Sequence, residues 1–234
     1  MVSVFFAVSW SREDDDRCDE RRGLLTAALI DGLYECEPNL DFTDKLLDML
    51  ESAGFHVDIY RRDNVTVDLL MNLEGYKLLV LRVHSAMHSD GWLYVFSGEH
   101  YREEKYVKEQ LAGAVKKGYT FNGVEKPYFA LNIAFLGGNR AGALEGSTVI
   151  LMGCNGSGDP YSVSRLLEKG VEALFAWSGY VDLRHSDKAT LILVEALYGE
   201  GLSPREAAEK VQREAGPDPI YGSILRCFTK NWHG

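Results

Sequence analysis

The strongest constraint on this chain is an alternation of short, nearly continuous apolar runs with segments of helical periodicity. Residues 24–30 form such a run, ended by Asp31-Gly32 and soon broken by Glu37-Pro38-Asn39, and read as a buried strand. Phe42, Leu46, Leu47, Met49 and Leu50 recur at helical spacing, which predicts a helix over 42–53 with Asp41 as N-cap and Gly54 as its stop. Residues 55–60 alternate as a strand, 66–73 read as a short helix before Gly75, and 77–83 as a fully buried strand. Further strands are expected at 92–97 and 128–135, with an amphipathic helix near 103–116 between them. A buried strand at 148–152, a turn, a helix at 161–169 and a strand at 172–177 follow. Two helices come last, roughly 186–199 and 204–214, the second opened by Ser203-Pro204 with Glu206 nearby. This order implies an α/β fold, a three-layer αβα sandwich with a mainly parallel central sheet. In such sheets ligands gather at the carboxyl edge, so the loops after Val83, Gly153 and Trp177 are where chemistry is expected.

With 234 residues the chain suits one large domain or two small ones at about 150 residues each. Residues 1–22 read as an N-terminal extension and 23–234 as a single domain. Within the extension, 2–9 suggest an edge strand or the remnant of a trimmed targeting segment, and the charge-dense 11–22 a solvated connector. A composition 46% hydrophobic and 26% charged excludes wholesale disorder, collagen-like repeats and a coiled coil. Thirty-five acidic residues against 25 basic ones leave a net charge of −10, the wrong sign for gripping phosphate backbones, so no nucleic acid partner is expected. No apolar run reaches the ~18–20 residues that span a bilayer, so no membrane partner is expected either. Cysteines at 18, 36, 154 and 227 form no C-x-x-C pair, which excludes a zinc ribbon or thioredoxin motif. Their spacing gives no disulfide framework, although an 18–36 bridge stays open, and a reducing, cytoplasmic compartment is the simplest expectation.

Two strand ends carry chemistry. His84 directly follows the apolar strand in Leu81-Arg82-Val83-His84-Ser85, and Cys154 follows another in Ile150-Leu151-Met152-Gly153-Cys154-Asn155-Gly156. If those strands are parallel neighbours, both side chains emerge on one rim. A thiolate attacks a carbonyl, and an imidazole helps to form it or protonates the leaving amine. Gly153 and Gly156 are expected to let a substrate backbone approach and to leave main-chain N–H groups for an oxyanion, a donor worth about 3–4 kcal/mol in the barrier.

In this order the segments resemble the caspase-like superfamily of cysteine peptidases, which spans caspases, metacaspases, legumains, gingipain-type and clostripain-type enzymes and CHAT domains. The resemblance extends over roughly residues 24–230. It is carried by Gly54-Phe55-His56-Val57, Val80-Leu81-Arg82-Val83-His84-Ser85, Val149-Ile150-Leu151-Met152-Gly153-Cys154 and Ala173-Leu174-Phe175-Ala176-Trp177. Segments such as Phe96-Ser97-Gly98-Glu99 and Gly216-Pro217-Asp218-Pro219-Ile220-Tyr221-Gly222 look like a prokaryotic branch of it. The resemblance implies a peptide or protein substrate, Cys154 as nucleophile and His84 as catalytic imidazole. Main-chain groups at Ser85, Gly153 and Cys154 would form the oxyanion site, and neither a metal nor an organic cofactor would be needed. It also implies that Trp177, Ser178 and Asp182 border the substrate, an Asp there selecting Arg or Lys. Two departures stand out: Ser85 replaces the glycine many members have after the histidine, and Met152 replaces the metacaspase aspartate two residues before the cysteine. A metacaspase-type basic pocket is therefore not carried over.

Other readings accompany this one. His88 is a substrate-contact candidate, an alternative imidazole, a zinc partner of His84 if both lie on a helix, or an exposed loop residue. His185-Ser186-Asp187 reads as a triad or, more simply, as a helix start capped by Ser186 or Asp187. Glu99 and His100 are candidates to support the His84 loop. Gly153–Pro160 also resembles a phosphate-cradling loop, though it lacks the Lys-Ser/Thr ending and carries Asp159. The alternatives to a peptidase are a catalytically inactive binding or scaffold protein on the same fold and a flavodoxin-like small-molecule or nucleotide binder.

Overall fold

The computed structural model describes residues 25–120, 126–230 and 232. The expectations for 2–9 and 11–22 lie outside the described residues. In chain order the elements are β1 (Thr26–Asp31), α1 (Leu40–Ser52), β2 (His56–Arg61), α2 (Val67–Met71), β3 (Leu78–Arg82), β4 (Ser85–Met87) and β5 (Leu93–His100). They continue with α3 (Val107–Leu111), β6 (Val115–Gly118), β7 (Tyr128–Asn132), β8 (Thr148–Leu151), α4 (Pro160–Glu168) and β9 (Ala173–Trp177). The last are α5 (Leu183–Val194), α6 (Pro204–Glu214) and β10 (Leu225–Thr229).

Among the described residues six strands form the central sheet in the order β10-β9-β8-β3-β1-β2, all pairs parallel except the antiparallel edge β9–β10. The inner strands are apolar on both faces because both faces are covered. Ala27, Leu29, Leu78, Val80, Ile150 and Phe175 pack with Phe42, Leu46 and Leu50 of α1, Leu193 of α5 and Val211 of α6. The alternate residues Ala28, Ile30, Leu79, Leu81, Leu151 and Leu174 face Leu70 of α2 and Val163 and Leu166 of α4. On that second side they also meet Val95, Phe129 and Leu131 of a four-stranded antiparallel sheet, β4-β5-β7-β6. The chain is thus an α/β three-layer sandwich whose second outer layer is part helix and part sheet.

That smaller sheet is where sequence periodicity misleads. Val107, Leu111 and Val115 repeat every four residues, as a helix over 103–116 requires. The helix stops after Leu111, Gly113 adopts φ +72°, and Val115 pairs with Leu131 in β6 instead. Caps shift as well. Asn39, not Asp41, accepts the Phe42 N–H of α1, and Asp182, not Ser186 or Asp187, caps α5 by accepting from His185 N–H. The expected capping box of α6 is present, Ser203 and Glu206 bonding reciprocally.

Candidate active site

Crevices are expected at two places on the carboxyl edge of the central sheet, where connections leaving neighbouring strands depart on opposite faces. The first lies between β1, whose chain continues to α1, and β3, whose chain continues to the smaller sheet. It is filled. Arg82 at the end of β3, 1% exposed, donates from Nε and Nη2 to Asp187 at 2.9 and 3.1 Å, from Nη1 to Asp31 at 2.9 Å and from Nη2 to the Glu37 carbonyl at 2.9 Å. The Asn39 side-chain amide N–H donates a further hydrogen bond to Asp187 at 2.8 Å. Burial pushes the Asp31 carboxyl above its ordinary value against the pull of Arg82, and its Oδ2 is buried with no hydrogen-bond partner among the described residues.

The second crevice lies between β8, whose chain continues to α4, and β9, whose chain continues to α5 on the other face. Cys154 follows β8 at that edge and is partly exposed. Strand β3 is the other neighbour of β8, in register Leu81 against Leu151, so His84 and Cys154 leave one edge of the sheet from adjacent parallel strands. The His84 side chain is exposed, its carbonyl accepts from Phe96 N–H at 2.9 Å, and its ring lies edge-on to Phe96 at 6.1 Å.

The two loops are fused by position 153. A Cβ there would lie 2.6 Å from the Val83 carbonyl oxygen and would collide with the Ser85 hydroxyl. Gly153 thus admits the neighbouring β3–β4 backbone, not the substrate backbone it was expected to admit, and Gly156 likewise makes room for Ala176 and Leu151. Ser85 is buried, and its Oγ donates to the Cys154 carbonyl at 2.6 Å. Ser85 faces Val95 across β4 and β5, and the next bond in that ladder runs from Phe96 N–H to the His84 carbonyl. Ser85 and Val95 are therefore a non-hydrogen-bonded pair, and the Ser85 N–H points away from β5. Asn155, at φ +57°, turns the chain after the cysteine and donates its N–H to the Gly179 carbonyl at 2.8 Å. Asp159 then accepts from Tyr161 N–H, Ser162 N–H and the Ser162 hydroxyl at the start of α4.

Cys154 Sγ lies 4.0 Å from the Val181 carbonyl oxygen. Burial holds its thiol above the ordinary value, and the nearby charge of Asp218 pushes the same way. Asp218 organises the far wall: its buried carboxylate accepts the N–H groups of Asp182 (2.7 Å), Ile220 (2.9 Å) and Tyr221 (2.7 Å). No role was foreseen for it. The available signal was an aspartate between two prolines in a loop short of acceptors.

The other candidates disperse. Trp177 is 1% exposed, its indole N–H bonded to the Ser186 hydroxyl in the core, so it borders no open surface. Ser178 Oγ accepts from Ile224 N–H, and Asp182 is occupied as the α5 cap. Ser186 in turn donates to the Met152 carbonyl, and Asp187 belongs to Arg82, which dissolves the triad reading of that segment. His185 keeps a buried Nε2 with no partner among the described residues, its ring 5.4 Å from that of Trp177. His88 is exposed on the β4–β5 turn beside Asp90 and Lys116. Strand β4, not a helix, separates it from His84, which removes the geometry a zinc pair required. Glu99 does not reach the His84 loop; it accepts from Val67 N–H at the start of α2 and from Lys105 and Tyr106, while His100 stacks on Tyr128. Among the described residues no group of three or more His, Cys, Asp or Glu side chains is placed to hold a metal, and no helix is long and apolar enough to cross a membrane.

No protein-family model matches the chain, and no curated protein matches it at a significant level.

Proposed function

We propose that this chain is a caspase-like cysteine endopeptidase with Cys154 as nucleophile and His84 as its acid–base partner. One observation carries the reading: adjacent parallel strands lead directly into the segments that carry His84 and Gly153-Cys154, and those segments are locked together by the Gly153 contact with Val83 and by the Ser85–Cys154 hydrogen bond. The Cys154 sulfur would form a C–S bond to the substrate carbonyl carbon, its proton passing to the His84 imidazole. The carbonyl electrons would move onto oxygen, where outward N–H groups such as that of Ser85 can receive them. Collapse breaks the C–N bond, the imidazolium proton leaves with the amine, and water hydrolyses the thioester to a carboxylic acid and a free thiol. A reducing compartment, cytoplasmic for instance, keeps that thiol available.

A second reading, a binding or scaffold domain on the same framework, is favoured by the raised thiol of Cys154, since a buried, protonated sulfur is a poor nucleophile. The nucleotide-binding reading has less support. The Asp159 carboxylate already occupies the N–H groups at the start of α4, and the Arg82 cluster fills the first crevice.

Alkylation by iodoacetamide, followed site by site, together with hydrolysis of a mixed peptide library, tests the assignment. The expected result is preferential modification of Cys154 over Cys18, Cys36 and Cys227, cleavage abolished by Cys154→Ala, and a 10²–10⁴-fold loss with a changed pH profile in His84→Ala. In the unliganded protein the alkylation rate should keep rising with pH beyond the range of a free thiol, because the folded protein holds the proton on sulfur. If Cys154 is no more reactive than the other cysteines and no peptide is cleaved, the nucleophile is lost.

A further inference from the structure

Two loops, 178–182 and 217–224, stand beside the Cys154 thiol. The first borders it directly, through the Val181 carbonyl at 4.0 Å from Sγ and the bond from Asn155 N–H to the Gly179 carbonyl. The second is tied to the first at several points. Asp218 accepts from Asp182 N–H, the Ser223 hydroxyl donates to the Tyr180 carbonyl at 2.6 Å, and Ser178 donates its N–H to the Ile224 carbonyl while its Oγ accepts from Ile224 N–H, each at 3.0 Å. Their backbones are therefore fixed, yet they hold large apolar side chains outward. Tyr180 and Tyr221 are each 58% exposed with rings 5.9 Å apart, and Ile220 is 66% exposed. Keeping such side chains in water on a pinned backbone is unfavourable without something to cover them, and contiguous patches of this kind mark interaction sites.

Resting on the reading of Cys154 as nucleophile, we propose that the site takes peptides with an apolar or aromatic side chain beside the attacked carbonyl, seated on Tyr180, Ile220 and Tyr221. Charge chemistry points the same way. The two acids of these loops are engaged: Asp182 caps α5, and Asp218 is 2% exposed and accepts three backbone N–H groups, so a substrate cation would have to displace those donors. Neither loop contains a basic residue to receive an acidic side chain. Across the site, the exposed residues of β4 are Ala86 and Met87, also apolar.

The test uses acyloxymethyl ketones that carry Phe, Leu, Arg or Asp beside the ketone. Each modifies a cysteine by forming a C–S bond as the carboxylate leaves, and labelling of Cys154 is followed by mass spectrometry. The Phe and Leu reagents should label Cys154 roughly tenfold faster than the Arg and Asp reagents. In a Tyr180→Ala/Tyr221→Ala double variant, checked for folding by its melting curve, that ratio should fall to within about twofold. Because the readout is a ratio, any change in the thiol itself divides out. An Arg or Asp reagent that equals or exceeds the Phe reagent overturns the proposal, as does a preference that survives the double substitution. So does a stable dimer that buries Tyr180 and Tyr221 against a second copy. Apolar-selective labelling with no peptide hydrolysed would leave the preference standing and remove the endopeptidase reading. Cleavage beside charged residues would do the reverse.

Discussion

At the scale of single residues, the candidate site depends on what a position cannot carry. Gly153 does not sit in the left-handed region; it is required because a methyl group would meet the Val83 backbone carbonyl at 2.6 Å. Gly153→Ala is therefore expected to push the β8 and β3 loops apart at a cost of about 1–3 kcal/mol. In a chain of this size that is a fall in melting temperature of roughly 3–10 °C, accompanied by altered Cys154 alkylation. A thermal melt superimposable on the wild type would contradict it. The Gly-Cys pair was legible as a special strand end, but its reason was not, since the atom that excludes a side chain belongs to residues some 70 positions earlier. Asp218 was illegible for a similar reason: its three N–H donors identify it only once the loops have closed around it.

At the scale of elements, caps hold the site. Asp159 ends the loop that begins at Cys154 and starts α4, and its carboxylate satisfies two backbone N–H groups and the Ser162 hydroxyl. Asp159→Ala is expected to lower stability by about 1–2 kcal/mol in urea unfolding and to change the Cys154 alkylation rate. Ser203→Ala, at the start of α6, is expected to cost a comparable amount without touching that rate; equal effects on the rate would show that general destabilisation is being measured. The elements themselves were largely readable. Strands β1, β3, β8 and β9 are apolar runs with sharp stops, and α6 carries a capping box. In the small antiparallel sheet β5 and β7 were readable as strands, but β4 and β6 were not. Its strand β6 shares a four-residue apolar spacing with α3, so one pattern fits both states, and pairing with Leu131 decides between them.

At the scale of the whole molecule, β1, β3, α5 and the 32–39 segment meet at Arg82, a buried guanidinium between two buried carboxylates. Burial raises the Asp31 carboxyl, so the folded chain binds that proton more tightly than the unfolded one. The resulting stability is present at low pH and lost as pH rises through the folded value. Asp31→Asn removes this dependence, and its stability relative to wild type should increase as pH rises above the ordinary carboxylate range in denaturant titrations. A difference that stays flat, or runs the other way, would show that Arg82 outweighs burial. Hydrophobic periodicity, turn residues and caps are local properties of a chain, and they sufficed to determine the α/β class, most strand positions and the two strand ends on which the site stands. Strand order, and the face on which each connection leaves the sheet, are set by packing between distant segments. Only the tertiary structure could therefore decide that Arg82 closes one crevice with partners 51 and 105 residues away, and that Cys154 stands at the other beside a wall built around Asp218.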